Sequence, residues 1–69
     1  MVSEILKGRW RQIKGAAKER WGELTDDDVD QIRGEWDRLV GKLQETYGYK
    51  KEQAEAEISE FLEDLTSDE

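Results

Sequence analysis

The sequence predicts an all-α protein, with four helices arranged as two α-hairpins packed crosswise around a Trp-rich core. Three observations lead there. Apolar residues recur at helical spacing along the chain. Proline is absent, so no residue type in the chain forbids a long helix. Two stretches also repeat each other at a constant offset of 26. One reads Gly8-x-Trp10-x-x-Ile13-x-Gly15, then Glu19-x-Trp21-Gly22. The other reads Gly34-x-Trp36-x-x-Leu39-x-Gly41, then Glu45-x-Tyr47-Gly48. Self-similarity in register marks a repeated structural unit.

The first helix is expected to begin at Ser3, a good N-cap, with Glu4 suited to its first turn. At 100° per residue, Leu6, Trp10, Ile13, Ala17 and Trp21 form one apolar stripe. Each copy of the repeat ends in an aromatic residue followed by glycine, which predicts a left-handed helix stop at Gly22 and again at Gly48. Thr25 is a natural N-cap, and Asp28 stands at the third helical position. Asp26, Asp27 and Asp28 put negative charge where a helix dipole favours it, so a second helix starts near Asp26. A bend is expected at Arg33–Gly34, followed by a longer third helix. The apolar positions of these two helices are Val29, Ile32, Trp36, Leu39, Leu43 and Tyr47. A fourth helix is expected from Lys51 to Leu65, with Ala54, Ile58, Phe61, Leu62 and Leu65 on one face. Neither hairpin can enclose its own stripe, so the two must cross to bury the three tryptophans. Residues 1–65 form one domain in this reading, and 66–69 form a disordered acidic tail.

Composition narrows the function classes. A chain of 69 residues supports one thin core of only a few kcal/mol. With no cysteine and no histidine, it lacks thiolate ligands, disulfides, the commonest general base and the commonest transition-metal ligand. Charged residues are 42% of the chain and apolar residues 35%. That balance approaches the disordered range, but periodic apolar residues and three tryptophans favour a folded domain. The N-terminus carries no long apolar run, so neither a secretory signal nor a membrane span is expected. A cytoplasmic location follows by default.

Several motifs in order carry a family resemblance. The run Trp21-Gly-Glu-Leu-Thr-Asp-Asp-Asp28 comes first. It is followed by Gly34-x-x-Asp37-x-Leu39-Val-Gly41-Lys-x-Gln44-Glu-x-Tyr47-Gly-Tyr49 and by Gln53-Ala-Glu55. Together with Gly8-x-Trp10 and Lys14-Gly15, these resemble the CsbD-like family of small bacterial stress proteins, over roughly residues 5 to 58. The resemblance implies a bacterial source, a compact four-helix domain, and expression raised in general stress or stationary phase. It brings no catalytic or binding residue with it.

No catalytic, cofactor-binding or metal-ligating residue is nominated, and neither a cofactor nor a small-molecule substrate is expected. A carboxylate pair needs a cleft that separates its two pKa values, and a domain this small has little room for one. Asp26, Asp28 and Asp30 occupy the first, third and fifth positions of a calcium loop. The sixth is Gln31 where glycine makes the turn, and the twelfth is Asp37 where a bidentate glutamate belongs. Helix capping explains the same residues.

Charge asymmetry is the strongest partner signal. Residues 1–20 hold six basic and two acidic side chains, a balance of +4, whereas residues 21–69 stand at −11. Lys7, Arg11, Lys14 and Lys18 make one basic stripe beside the apolar one. Such a stripe with tryptophan beside it suits phosphates or an anionic membrane surface. Against that, the net charge of −7 repels nucleic acid at long range. Glu52, Glu55, Glu60 and Glu63 on the last helix are also placed to neutralise the stripe within the fold. Two functions therefore stand side by side: a non-enzymatic soluble stress-response protein, and a binding module whose basic first helix meets nucleic acid or an anionic membrane.

The glycines are the remaining oddity. Gly8, Gly15, Gly34 and Gly41 lie opposite the apolar stripes. In helix interiors the four together cost up to about 4 kcal/mol relative to alanine, although a bend at Gly34 would remove its share of the cost. Either another helix packs closely on these faces, or the helices are held weak.

Overall fold

The computed structural model describes residues 2–66, with side chains from residue 4 to residue 65. It contains four helices and, among the described residues, no strand: α1 (Val2–Arg20), α2 (Asp26–Ile32), α3 (Trp36–Tyr47) and α4 (Lys51–Thr66). The all-α class and the order of short second and longer third helix agree with the sequence reading. α1 already includes Ser3, whose side chain lies outside the described residues. Of the expected tail, Thr66 closes α4, and residues 67–69 lie outside the described residues.

Local chemistry sets the element boundaries. Glu4 sits in the first turn of α1, and Lys18 and Arg20 sit in its last, each complementing the helix dipole. α2 opens with a capping box. The Asp28 amide donates to Thr25 Oγ1 at 3.1 Å, and the Thr25 amide donates to Asp28 Oδ2 at 3.0 Å. These bonds satisfy two amides that the helix start would leave unpaired. α2 ends on two successive left-handed residues, Arg33 at φ 55 and Gly34 at φ 74. The Glu35 amide then closes the corner on the Ile32 carbonyl at 2.9 Å. Gly48, at φ 73, stops α3 by donating its amide to the Gln44 carbonyl at 2.9 Å.

Gly22 departs from expectation. It is not among the positive-φ residues, so α1 has no left-handed glycine stop. α1 ends instead in a turn over residues 21–23, where the Leu24 amide donates to the Trp21 carbonyl at 2.9 Å. The two copies of the repeat therefore diverge in conformation. Gly8 lies within a continuous α1, whereas its counterpart Gly34 makes the corner between α2 and α3.

α1, α3 and α4 each touch the other two, while α2 contacts α1 and α3 but not α4 among the described residues. The radius of gyration is 10.9 Å, matching the roughly 11 Å of a compact chain of this length. Leu6, Ile32, Leu39, Leu43, Ile58 and Val29 are the largest fully buried side chains. Trp10 and Trp21 are also buried, and Trp21 packs on Phe61 with ring centroids 5.0 Å apart. Four positions differ from the helical-stripe reading. Ile13, Trp36 and Tyr47 are only partly buried against the core, and Leu65 is exposed near the end of α4. Two residues outside the stripes, Leu24 and Val40, are buried.

The glycine question divides in two. A Cβ on Gly34 would lie 2.8 Å from the Lys7 Cα and the Trp10 Cβ, and 2.9 Å from the Leu6 carbonyl oxygen. Real Cβ atoms do not approach so closely, so the α2–α3 corner sits on α1 at a distance only glycine allows. A Cβ on Gly8, Gly15 or Gly41 would meet nothing within 4 Å. Within this chain, close helix packing explains none of those three.

Candidate interaction surface on the first helix

The basic stripe starts from α1's own periodicity. Steps of four, three and four residues carry Lys7, Arg11, Lys14 and Lys18 up one side of the helix. The acidic start of α2 is laid against that side. Lys14 Nζ reaches Asp30 Oδ1 at 3.3 Å, and Lys18 Nζ pairs with Asp26 Oδ1. Lys7 Nζ lies 3.7 Å from Glu35 Oε2, just beyond the corner. Arg11 is exposed and has no ion-pair partner among the described residues. It lines a groove between α1 and α2 together with Lys14 and Lys18 on one wall and Asp26 and Asp30 on the other. Lys7 stands apart from that groove.

The source of these counter-charges corrects one expectation. Among the described residues, the carboxylates paired with the stripe come from α2 and Glu35, not from the glutamates of α4. The acidic face of α4 instead surrounds Arg20, the last residue of α1. Arg20 Nη2 is 3.1 Å from Glu60 Oε1 and 3.6 Å from Glu57 Oε1, and Nη1 is 3.1 Å from Asp64 Oδ2. The Arg20 guanidinium carbon also lies 5.8 Å from the Trp21 ring centroid, within cation–π range. Sequence spacing showed that both acidic segments existed. It carried no information on which would meet which basic residue, because the turn after Trp21 sets that pairing.

Beneath the ion pairs lies a contact that periodicity did not reveal. Trp10 Nε1 donates to the Val29 carbonyl at 2.8 Å, a buried bond between α1 and α2. On its other side α2 is tied to α3. Lys42 Nζ lies 3.4 Å from Asp28 Oδ1 and 3.2 Å from Glu45 Oε1, and Arg38 Nη1 donates to the Gln31 carbonyl at 2.9 Å.

The electrostatics follow from these partners. The Lys18 ammonium, by hydrogen bond and charge, holds the Asp26 carboxyl below its ordinary value of 3.8. Asp28 is held low chiefly by the Thr25 backbone amide, with Lys42 and the Thr25 hydroxyl adding to it. Hydrogen bonds to Glu45 and Asp28 raise Lys42 above 10.5. The three aspartates that resembled a calcium loop thus serve three different cations and one helix cap.

The class these features define is a small, acidic, all-α domain in which four basic residues of the first helix, Lys7, Lys14, Lys18 and Arg20, are paired with carboxylates of the same chain. Among its described residues no helix is long and apolar enough to cross a membrane. The chain belongs to the CsbD-like family, which it matches over residues 4–65. It is similar to a UPF0337 protein of Pseudomonas aeruginosa, with 52% identity over 65 residues, covering 94% of this chain and all of the relative. It is also similar to the UPF0337 protein YjbJ of Escherichia coli and to a UPF0337 protein of Pectobacterium atrosepticum. Each of these is 57% identical over 61 residues, or 88% of both chains. No solved structure matches the chain.

Proposed function

We propose that this protein is a non-enzymatic, soluble stress-response protein that acts through its charged surface and not through chemistry at a site. The observation that carries this reading is the occupation of the basic stripe. Lys7, Lys14 and Lys18 are each engaged by a carboxylate of the same chain. A phosphate-bearing partner would have to displace those carboxylates and approach a protein of net charge −7, against long-range repulsion. Membership of the CsbD-like family, whose resemblance implies expression raised under stress, supports the same reading.

The test is a titration at low salt against duplex DNA, single-stranded DNA and anionic vesicles. The expected result is no saturable binding tighter than about millimolar. Binding in the micromolar range overturns the reading in favour of a basic-helix binding module, provided it weakens with salt and is lost on changing Lys7, Arg11, Lys14 and Lys18 to Glu. The stress assignment has its own check. The protein's abundance, measured by immunoblot in its native host, should rise on entry into stationary phase.

A further inference from the structure

The segment from Thr25 to Arg33 is held between two anchors. Leu24 is buried at one end. Gly34 at the other sits against the backbone of α1 with no room for a Cβ. Between them, α2 is seven residues long and buries two side chains, Val29 and Ile32. Its remaining attachments are polar. They are the Trp10 indole bond to the Val29 carbonyl, the pairs of Lys14 with Asp30 and Lys18 with Asp26, and the links from Lys42 and Arg38 of α3. The lysines facing α1's groove are themselves 37% to 42% exposed, a setting in which dissolved salt screens ion pairs effectively. α1, α3 and α4 contribute Leu6, Leu39, Leu43 and Ile58 to the fully buried core, and they would still pack on one another without α2's Val29 and Ile32, which complete it.

We propose that α2 is a salt-released strap over the basic face of α1. It opens as a unit between Leu24 and Gly34 while the other three helices stay packed. Rising ionic strength favours the open form, which presents Lys14, Lys18 and the Trp10 indole to solvent beside the exposed Arg11. The remainder of the molecule responds with the opposite sign, because salt relieves the self-repulsion of a chain carrying −7. The strap is a property of the fold, and it goes beyond the function proposed above without depending on it.

Native-state hydrogen exchange followed by NMR separates the two responses. Exchange is measured at about 0.01 M and about 1 M salt, where the screening length falls from about 30 Å to about 3 Å. The Val29 amide and the Trp10 indole N–H report the strap, and the Leu43 and Ile58 amides report the core. With several ion pairs screened at once, exchange at the strap should accelerate about five- to tenfold relative to the core. A strap that exchanges in step with Leu43 and Ile58, or whose relative rate ignores salt, overturns the proposal. The double variant Lys14→Met, Lys18→Met supplies a second arm. Its strap should exchange fast already at low salt and lose most of the salt response. A response as large as that of the unaltered protein would show that these pairs are not the fastening.

Discussion

The Trp10 indole nitrogen donates to the Val29 carbonyl, whereas the Trp21 nitrogen is buried with no hydrogen-bond partner among the described residues. A buried donor that finds its acceptor contributes about 1 kcal/mol, and one left unpaired costs about 1–3 kcal/mol. Sequence periodicity treats the two residues as equivalent, since both sit on the apolar stripe of α1. Their polar ends make them unequal. Trp10→Phe removes a bond that fastens α2. Trp21→Phe removes an unsatisfied donor and keeps a ring to pack on Phe61, 5.0 Å away. Trp10→Phe should therefore lower the unfolding free energy by about 1 kcal/mol more than Trp21→Phe. Urea unfolding followed by circular dichroism measures both. Equal midpoints, or a greater loss from Trp21→Phe, would contradict the assignment of Trp10 as the polar link between α1 and α2.

At the scale of the helices, the glycines divide by what their missing Cβ would meet. Gly34 combines φ 74 with a site where an added Cβ would lie 2.8 Å from the Lys7 Cα and the Trp10 Cβ of α1, so Gly34→Ala should destabilise by more than about 2 kcal/mol, from the left-handed penalty plus the clash. Gly15 and Gly41 lie inside helices with open space around them. Changing either to Ala should stabilise by about 0.5–1 kcal/mol, raising the midpoint of thermal unfolding by about 2–8 °C for a domain of this size. Opposite signs at Gly34 and at Gly15 or Gly41, read by calorimetry, are the expected outcome. This division also shows what the sequence could and could not convey. The capping chemistry of Thr25 and Asp28 and the stop at Gly48 are local, so residue types announced them. The corner at Arg33–Gly34 was legible from the repeat register. That Gly34 is pressed against Lys7 and Trp10 is a contact across 24 residues or more, and no local pattern encodes it. The same holds for the basic stripe. Its existence follows from spacing on α1, but its partners depend on the path of the turn after Trp21. Leu24 was missed because it belongs to no helix, and Leu65 was misplaced because the core runs out before α4 does.

For the whole molecule, these pairs and the net charge fix how stability depends on pH. Asp26 and Asp28 have folded pKa values below the ordinary 3.8. Their contribution is fully present above 3.8 and is lost as pH falls through the lower folded values. Lys42 is raised above 10.5, so its contribution is complete below 10.5 and disappears only as pH rises past the folded value. Between these limits the pairs are constant, and self-repulsion is what varies. The chain carries −7 at pH 7 and reaches neutrality near pH 4.6, so repulsion relaxes as pH falls from 7 towards that point. The thermal midpoint should therefore rise modestly from pH 7 to pH 5 and then fall steeply below pH 4. The Asp26→Asn, Asp28→Asn double variant should start lower at pH 7 and show a shallower acid fall, because fewer ionised partners remain to be lost. Melting curves across pH 2 to 8 for both proteins provide the comparison. Parallel acid limbs would assign the fall to the general positive charge of the acidified chain, and would remove the capping box and the Lys18 pair from any part in it.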